Sequence, residues 1–538
     1  MNANGNSALI VDGTSENVKQ SGRLQSASSK PIVSLNNNVK NFINEGQLLS
    51  GTFNNDTFTA EKDENKFALK QDANRSALNF TNNGEINNTV ELLGKNQDGT
   101  GNTVTLADGS KGELFKTGDG NDTFNVNKVT GADDDTQTRQ FAKLDGGDGN
   151  DTVQFAQQSD FTINKADTIT NIEKVSVADS STLTLNKNLL TGTTEYNIKD
   201  ADSKVVYNKN SAANVDAKLT GKGTFLFNGD KDNDTTRNDL NFTGNSNSGG
   251  AFEGTVEIKN ANLTLGNANT DALTNAELKA SVNSEVKVQS GDQAIRKLNF
   301  NGGLVDFGNV SLTDPASKSA NHVKTTDLHL GAGKVRVDLE SPETMANGKP
   351  LMEQDDAGMM SQLASSENAV TGNVDDLGLV DKNGNEIPAS IKTDINQDGN
   401  NQVARVSYES KLTTQGDLGN GLYLRYGIDT VELKEKDKKG LKLDGTNKTG
   451  LAAELKAKVT DFVNGDNTKT EGDLQIVGSG EVTLNNEGND YHGKTFVKES
   501  ATLKAGSNNA LGNTKELNLA GGTTFNLNGK TQTVGALN

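Results

Sequence analysis

Apolar residues along this chain recur at every second position in short runs, and clusters of Gly, Asn, Asp and Thr separate the runs. The stretches "NTVTLADG", "STLTLNKN", "GTFLFNG", "NLTLGN" and "ELNLAGG" sample the pattern from one end to the other. Period-2 alternation turns successive side chains to opposite faces, so each run predicts a strand with one buried face. Gly and Asn between the runs tolerate positive φ and predict tight turns. One element, N-(D)-T-apolar-x-apolar, returns as "NDTFTA" (55–60), "NTVELL" (88–93), "NTVTLA" (102–107), "NDTFNV" (121–126) and "NDTVQF" (150–155), and the last three begin 19 and then 29 residues apart. One coil of a large parallel β-helix takes roughly 20–30 residues. The spacing therefore predicts an all-β chain, a parallel β-helix, in which these strands lie above one another. Phe124 and Val126 then face one way, and Thr123 and Asn125 the other.

A longer duplication extends the pattern. "GKGTFLFNG" (221–229) matches "GSGEVTLNN" (478–486), and residues 249–291 align with 488–530. Between the copies the composition shifts: four of the five prolines (Pro315, Pro342, Pro350, Pro388) and four of the five methionines (Met345, Met352, Met359, Met360) fall within 311–390. Three regions follow: repeats over 1–310, an irregular and partly helical insertion over 311–400, and further repeats over 401–538. Leu351, Met352, Met359, Met360 and Leu363 suggest a short helix within 350–370, and "GLAAELKAKVTDFVNG" (450–465) suggests a second, with strands between them at 401–435.

Composition favours a slender repeat over several globular cores. Only 32% of the 538 residues are hydrophobic, Trp is absent and Gly numbers 57, so a thin core repeated along one axis suits the chain better than thick layers. The net charge of −19, from 72 acidic and 53 basic residues, disfavours nucleic acid and anionic membrane surfaces as partners. No cysteine occurs, which removes disulfides and thiolate zinc sites. No apolar run approaches the roughly 20 residues of a membrane helix, and "MNANGNSALIVDG" has no basic n-region followed by an apolar h-region.

At the C-terminal end, "GNDYHGKTFVKESATLKAGSNNALGNTKELNLAGGTTFNLNGKTQTVGALN" (488–538) resembles the passenger repeat of bacterial autotransporter adhesins of the AIDA and UpaB-like group. The legible pieces are N-x-Y-x-G-x-T-x-V, "NALG", L-x-G-G-T-x-x-L-N-G and T-V-G-x-L, and residues 249–291 form a weaker copy. The resemblance implies a right-handed parallel β-helix displayed on, or released from, the surface of a Gram-negative cell. It also implies an exporting C-terminal membrane β-barrel, expected outside this chain, which would then be an excised passenger. Residues 1–180 carry the GDGNDT elements in place of the usual passenger repeat.

"GDGNDTFNV" (118–126) and "GDGNDTVQF" (147–155) are the candidate chemistry, and three readings stand. Residues 146–154 satisfy the calcium nonapeptide G-G-x-G-x-D-x-U-x, and 117–125 satisfy it except at Thr117, so Asp122 and Asp151 could face one Ca²⁺, a hard ion wanting six to eight oxygens. Alternatively, Gly-Asp-Gly-Asn-Asp simply makes a sharp turn with Asx hydrogen bonds. Thirdly, stacked turns would set Asp119, Asn121, Asp122, Asp148, Asn150 and Asp151 in one lateral strip suited to sugar hydroxyls. "DKDND" (230–234) and "DINQDGNNQ" (394–402) echo an EF-hand loop without completing it, and both read as solvated loops, as does "DDD" (133–135). His322, His329 and His492 lie apart and no G-x-S-x-G occurs, so catalysis finds little support. The reading is a non-catalytic surface adhesin that needs no cofactor and binds host matrix, either glycosaminoglycan-type glycans or fibronectin-like glycoproteins. Self-association leading to cell aggregation or biofilm, and a polysaccharide-cleaving β-helix, are the alternatives.

Overall fold

The computed structural model describes the chain apart from residues 1, 4–5, 55–56, 64, 135–139, 187, 230–236, 243–250, 267–272, 290, 313–315, 340–358, 400, 437–438 and 447–452. The described chain is all-β, and most of its strand pairs are parallel. It divides into two units, residues 1–305 with 324–333 and residues 306–323 with 334–538.

In the first unit parallel sheets interleave, each taking strands in sequence order. One has nine strands: Ser15–Gln20, Val39–Asn44, Asn79–Asn82, Thr100–Leu106, Asn121–Asn127, Thr152–Ala156, Lys174–Val177, Glu195–Ile198 and Lys218–Gly221. A second takes Thr89–Leu92, Leu114–Thr117, Lys143–Asp145 and Ile169–Thr170 from the intervening segments. A third runs from Thr130–Ala132 through Asp160–Ile163, Thr182–Asn186 and Lys204–Asn208 to Thr224–Asn228 and beyond. Over residues 114–186 three successive passes of the chain each leave one strand in each of these three sheets.

Parallel register stacks like on like. Phe42, Phe80, Val104, Phe124, Val153, Val175 and Tyr196 form one column through the nine-stranded sheet, and all are fully buried. The Phe42 and Phe80 rings stack at 6.0 Å. Burying each such side chain is worth roughly 1.5–3 kcal/mol, so a core one side chain deep suffices when it repeats. On the opposite face Asn17, Asn41 and Asn79 form an amide ladder, in which Asn79 Nδ2 donates to Asn41 Oδ1 and Asn41 Nδ2 to Asn17 Oδ1, each at 2.9 Å, and Thr103, Thr123 and Thr152 follow in the same register.

The expected stacking of "NTVTLA", "NDTFNV" and "NDTVQF" is present: Val104, Phe124 and Val153 are in register, as are Leu106, Val126 and Phe155. The other two copies of the element lie elsewhere. "NTVELL" belongs to the second sheet, and Thr57–Ala60 of "NDTFTA" pairs antiparallel with Gln47–Asn54. T-apolar-x-apolar encodes a strand, not the sheet it joins nor its burial, since no residue of Thr57–Ala60 is buried.

In the second unit Met359–Ser366, Gly421–Leu433, Asn401–Thr413 and Ser390–Gln397 form an antiparallel sheet in that order. Two four-stranded parallel sheets follow: Leu441–Asp444, Leu474–Val477, Thr495–Val497, Leu517–Leu519, and Ala453–Leu455, Glu481–Leu484, Thr502–Ala505, Thr524–Asn526. Leu441, Leu474, Leu484, Tyr491 and Leu503 are among their buried residues.

Both expected helices are corrected where the chain is described. Residues 350–358 lie outside the described residues, but Met359–Ser366 is a strand whose Ser361, Gln362, Leu363 and Ala364 are all buried; continuous burial on both faces hides the period-2 signal. In 450–465 that signal is present and was masked by leucine and alanine. Leu455, Ala457, Val459 and Asp461 are buried while Glu454, Lys456, Lys458 and Thr460 are half-buried, and the segment forms Ala453–Leu455 and Lys458–Val463. The described part of 311–400 is likewise largely strand, with a 3-10 turn at Val374–Asp376. Among the described residues no helix is long and apolar enough to cross a membrane, which leaves a membrane β-barrel untouched.

Candidate ligand-binding strip on the stacked turns

The two GDGND turns lie one above the other, residue over residue. The Asp148 amide donates to Gly118 O at 3.0 Å and the Asn150 amide to Asn121 Oδ1 at 3.0 Å. Glycine permits this approach. A β-carbon on Gly120 would lie 2.6 Å from Gly101 Cα, and one on Gly149 would strike the Gly120 carbonyl. Gly101, Gly120 and Gly149 therefore form a spine along which turn backbones pile without side chains between them.

The six candidate residues separate by burial. Asp119, Asn121, Asp148 and Asn150 are exposed and make the row that stacking was expected to produce. Asp119 Oδ2 accepts from Lys95 Nζ at 2.5 Å, and this hydrogen bond holds the Asp119 carboxyl below the usual carboxylate range. Asp122 and Asp151 point the other way and are almost completely buried, at 1% and 0% exposure.

These two inward carboxylates form a ladder with partners that no motif marked. The Leu78 amide donates to Asn102 Oδ1 at 2.9 Å, the Asn102 amide to Asp122 Oδ1, the Asp122 amide to Asp151 Oδ1 at 2.6 Å, and the Asp151 amide to Glu173 Oε2 at 2.7 Å. Each side chain thus caps the strand start of the preceding pass. Buried amides need such partners, since leaving one unmet costs about 1–3 kcal/mol. The arrangement has a charge cost: Asp122 Oδ2 and Asp151 Oδ2 are buried without a hydrogen-bond partner. Burial pushes the Asp122 carboxyl up to about 6. Burial, with the charges of Asp122, Glu173 and Asp145 added, pushes that of Asp151 up to about 7.

The oxygens of the nonapeptide already serve as acceptors between passes: Asp122 and Asp151 each give Oδ1 to a backbone amide, Gly118 O accepts from Asp148 and Gly146 O from Thr117 Oγ1. Among the described residues no group of three or more His, Asp or Glu could hold a metal. The EF-hand echo at 394–402, expected as a loop, contributes instead to the antiparallel strands Ser390–Gln397 and Asn401–Thr413; Asp394 pairs with Arg405 at 3.0 Å and Asp398 with Lys442 at 2.6 Å. "DKDND" (230–234) lies outside the described residues. In "DDD" (133–135), Asp133 is buried and accepts from the amides of Asn164 and Lys165 at 2.9 Å, while Asp135 lies outside the described residues.

The histidines divide too. His322, fully buried, and His329 share the strand Ser317–Leu330. His492 has a partner that sequence reasoning missed: buried Asp461, 31 residues earlier, accepts from the His492 amide at 2.9 Å and lies 2.8 Å from its Nδ1. No local signal could have found it, because the pairing depends on which strands become neighbours.

Over part of its length the chain is similar to two proteins of Escherichia coli strain K12. It is 35% identical over 297 residues to "Uncharacterized protein YuaQ", covering 53% of this chain and 21% of that protein. It is 34% identical over 309 residues to "Uncharacterized lipoprotein YdeK", covering 53% of this chain and 22% of that protein. The chain spans about a fifth of the length of these curated relatives. No family model matches, and no solved structure matches.

Proposed function

We propose that the interleaved parallel sheets are the faces of a right-handed parallel β-helix. On this reading the chain is the passenger of an AIDA/UpaB-like autotransporter adhesin, a non-catalytic binder of host matrix at a Gram-negative cell surface. One observation carries the reading: the direct superposition of residues 118–122 on 147–151, which lines up the exposed Asp119, Asn121, Asp148 and Asn150. Amides and carboxylates repeating at a strand spacing of about 4.8 Å offer acceptors and donors to sugar hydroxyls, and the Lys95 ammonium beside Asp119 tempers repulsion of anionic glycans. Each contact is weak; a polymeric ligand engaging many of them gains avidity. The lipoprotein description of YdeK accords with an envelope location.

The test is retention of the whole chain on arrays of glycosaminoglycans, neutral glycans and matrix glycoproteins, with a chelator arm and a reducing-end assay on the bound glycan. Retention without new reducing ends, insensitive to chelator, is expected. Absence of retention on every surface, or release of reducing ends, defeats the proposal.

A further inference from the structure

The antiparallel sheet of the second unit ends in Ser390–Gln397, "SIKTDINQ". One side of this strand pairs with Asn401–Thr413; among the described residues no strand pairs with the other. Its burial alternates regularly, with Ser390, Lys392, Asp394 and Asn396 exposed and Ile391, Thr393 and Ile395 half-buried. Ile395 packs against the core, and Thr393 lies opposite Val406.

The parity of the strand shows which backbone groups face outward. The Ser410 amide donates to Ala389 O, and in an antiparallel ladder alternate residues turn both polar groups to the same neighbour. Residues 391, 393 and 395 therefore bond to Asn401–Thr413, and Ser390, Lys392, Asp394 and Asn396 turn their N–H and C=O groups to the open side. Such an edge templates another strand unless charged side chains, proline or a bulge blunt it; this one carries Lys392 and Asp394, and its pairing with Asn401–Thr413 shifts register between Ile395 and Asn396.

This edge is complementary to its own image. A two-fold antiparallel pairing centred on Thr393 places Lys392 opposite Asp394 of the second copy and Asp394 opposite its Lys392. Ile391 then meets Ile395, Ser390 meets Asn396, and Thr393 meets Thr393. The pairs 390:396 and 392:394 are those whose amides already point outward, so hydrogen-bond parity and charge select the same register. An isologous contact of this kind needs only one surface patch, used twice.

We propose that Ser390–Gln397 is a self-association edge, through which two copies of this chain join their antiparallel sheets into one continuous sheet about a two-fold axis at Thr393. The occupant is a second copy because the strand's opposite charges, two residues apart, match their own reversal. This proposal stands apart from matrix binding, which uses a strip in the first unit.

Sedimentation equilibrium of the full chain over a range of concentrations tests it. The wild-type chain should dimerise. Lys392→Asp sets two acids against each other and Asp394→Lys two ammonium groups, so each should raise the dimer Kd at least about tenfold. The double exchange Lys392→Asp with Asp394→Lys should restore dimerisation. It cannot do so through the chain's own ion pairs, because it turns the Lys392–Glu432 and Asp394–Arg405 contacts repulsive. A second measurement leaves both charges in place: the chain has no cysteine, so Thr393→Cys should oxidise to a covalent dimer and Ser390→Cys, opposite Asn396 of the second copy, should not. A wild-type chain monomeric at every concentration overturns the proposal and leaves the edge to a foreign strand. So does a dimer indifferent to the single changes, a double exchange that folds by circular dichroism yet stays monomeric, or equal crosslinking at both cysteine positions.

Discussion

The backbone amide of Asp122 donates to Oδ1 of Asp151 at 2.6 Å, across 29 residues of sequence. Asp122 and Asp151, the second letters of N-D-T at 121–123 and 150–152, therefore serve the interior, while Asn121 and Asn150 before them remain exposed. A buried carboxylate that replaces a strand's missing partner stabilises through its hydrogen bond and destabilises through its charge, and the two effects separate experimentally.

The charge gives stability an unusual pH slope. The folded-state pKa values of Asp151 and Asp122, about 7 and about 6, lie above the unfolded value near 3.9. Between those values the folded chain holds protons that the unfolded chain has released, so this contribution is greatest below pH 4 and is lost as pH rises toward 7. The two groups titrate as a pair. Asp151→Asn keeps the Oδ1 acceptor and removes the charge, so it should be more stable than wild type at pH 8, by roughly 2 kcal/mol. The difference should shrink toward pH 4.5, as read from urea midpoints.

The hydrogen bond is tested by truncation. Asp151→Ala leaves the Asp122 amide buried without its acceptor and should cost about 1–3 kcal/mol near pH 4, where the charge penalty of the wild type is relieved. Asp148→Ala with Asn150→Ala, on the exposed row, should change stability by no more than about 0.5 kcal/mol per site while lowering retention on the glycan or glycoprotein surface that binds wild type. Thermal melts and array retention on the same preparations separate the two roles.

The glycine spine sets how closely the turns approach. Gly120→Ala places a methyl against Gly101 and should destabilise the first unit by about 1–3 kcal/mol. Gly109→Ala, at a positive φ of 73° but with open space around it, should cost only about 1 kcal/mol. Urea denaturation of the two variants ranks steric approach against backbone strain.

Asp461 orients His492. With the carboxylate accepting from Nδ1–H, the imidazole carries its neutral-state proton on Nδ1 and leaves Nε2 free. Long-range proton–nitrogen correlation at pH 8 should show that tautomer in wild type. Asp461→Ala should populate the other tautomer and lower stability by about 1–2 kcal/mol, through loss of the acceptor for the His492 amide.

Alternation of apolar residues, a strictly local property, determined the strands of the repeats and the all-β class, but not Met359–Ser366, which read as helix. Repetition of GDGNDT also specified a register, because two turns of the same length and glycine pattern can superimpose with every backbone contact preserved. That is how Asp119, Asn121, Asp148 and Asn150 came to share one row. Only the tertiary structure decided which sheet "NTVELL" joined, that residues 453–463 were strand, and that Asn102 and Glu173 extend the ladder of Asp122 and Asp151. The reason is physical. Side-chain direction follows from the pleat of one strand, whereas a neighbour some twenty or thirty residues away is chosen by loop length and by the need of each buried amide for an acceptor, neither of which has a local letter. Asp122 and Asp151 read as outward ligands from their polarity, and the structure turned them inward because the amide of the preceding pass had no other partner.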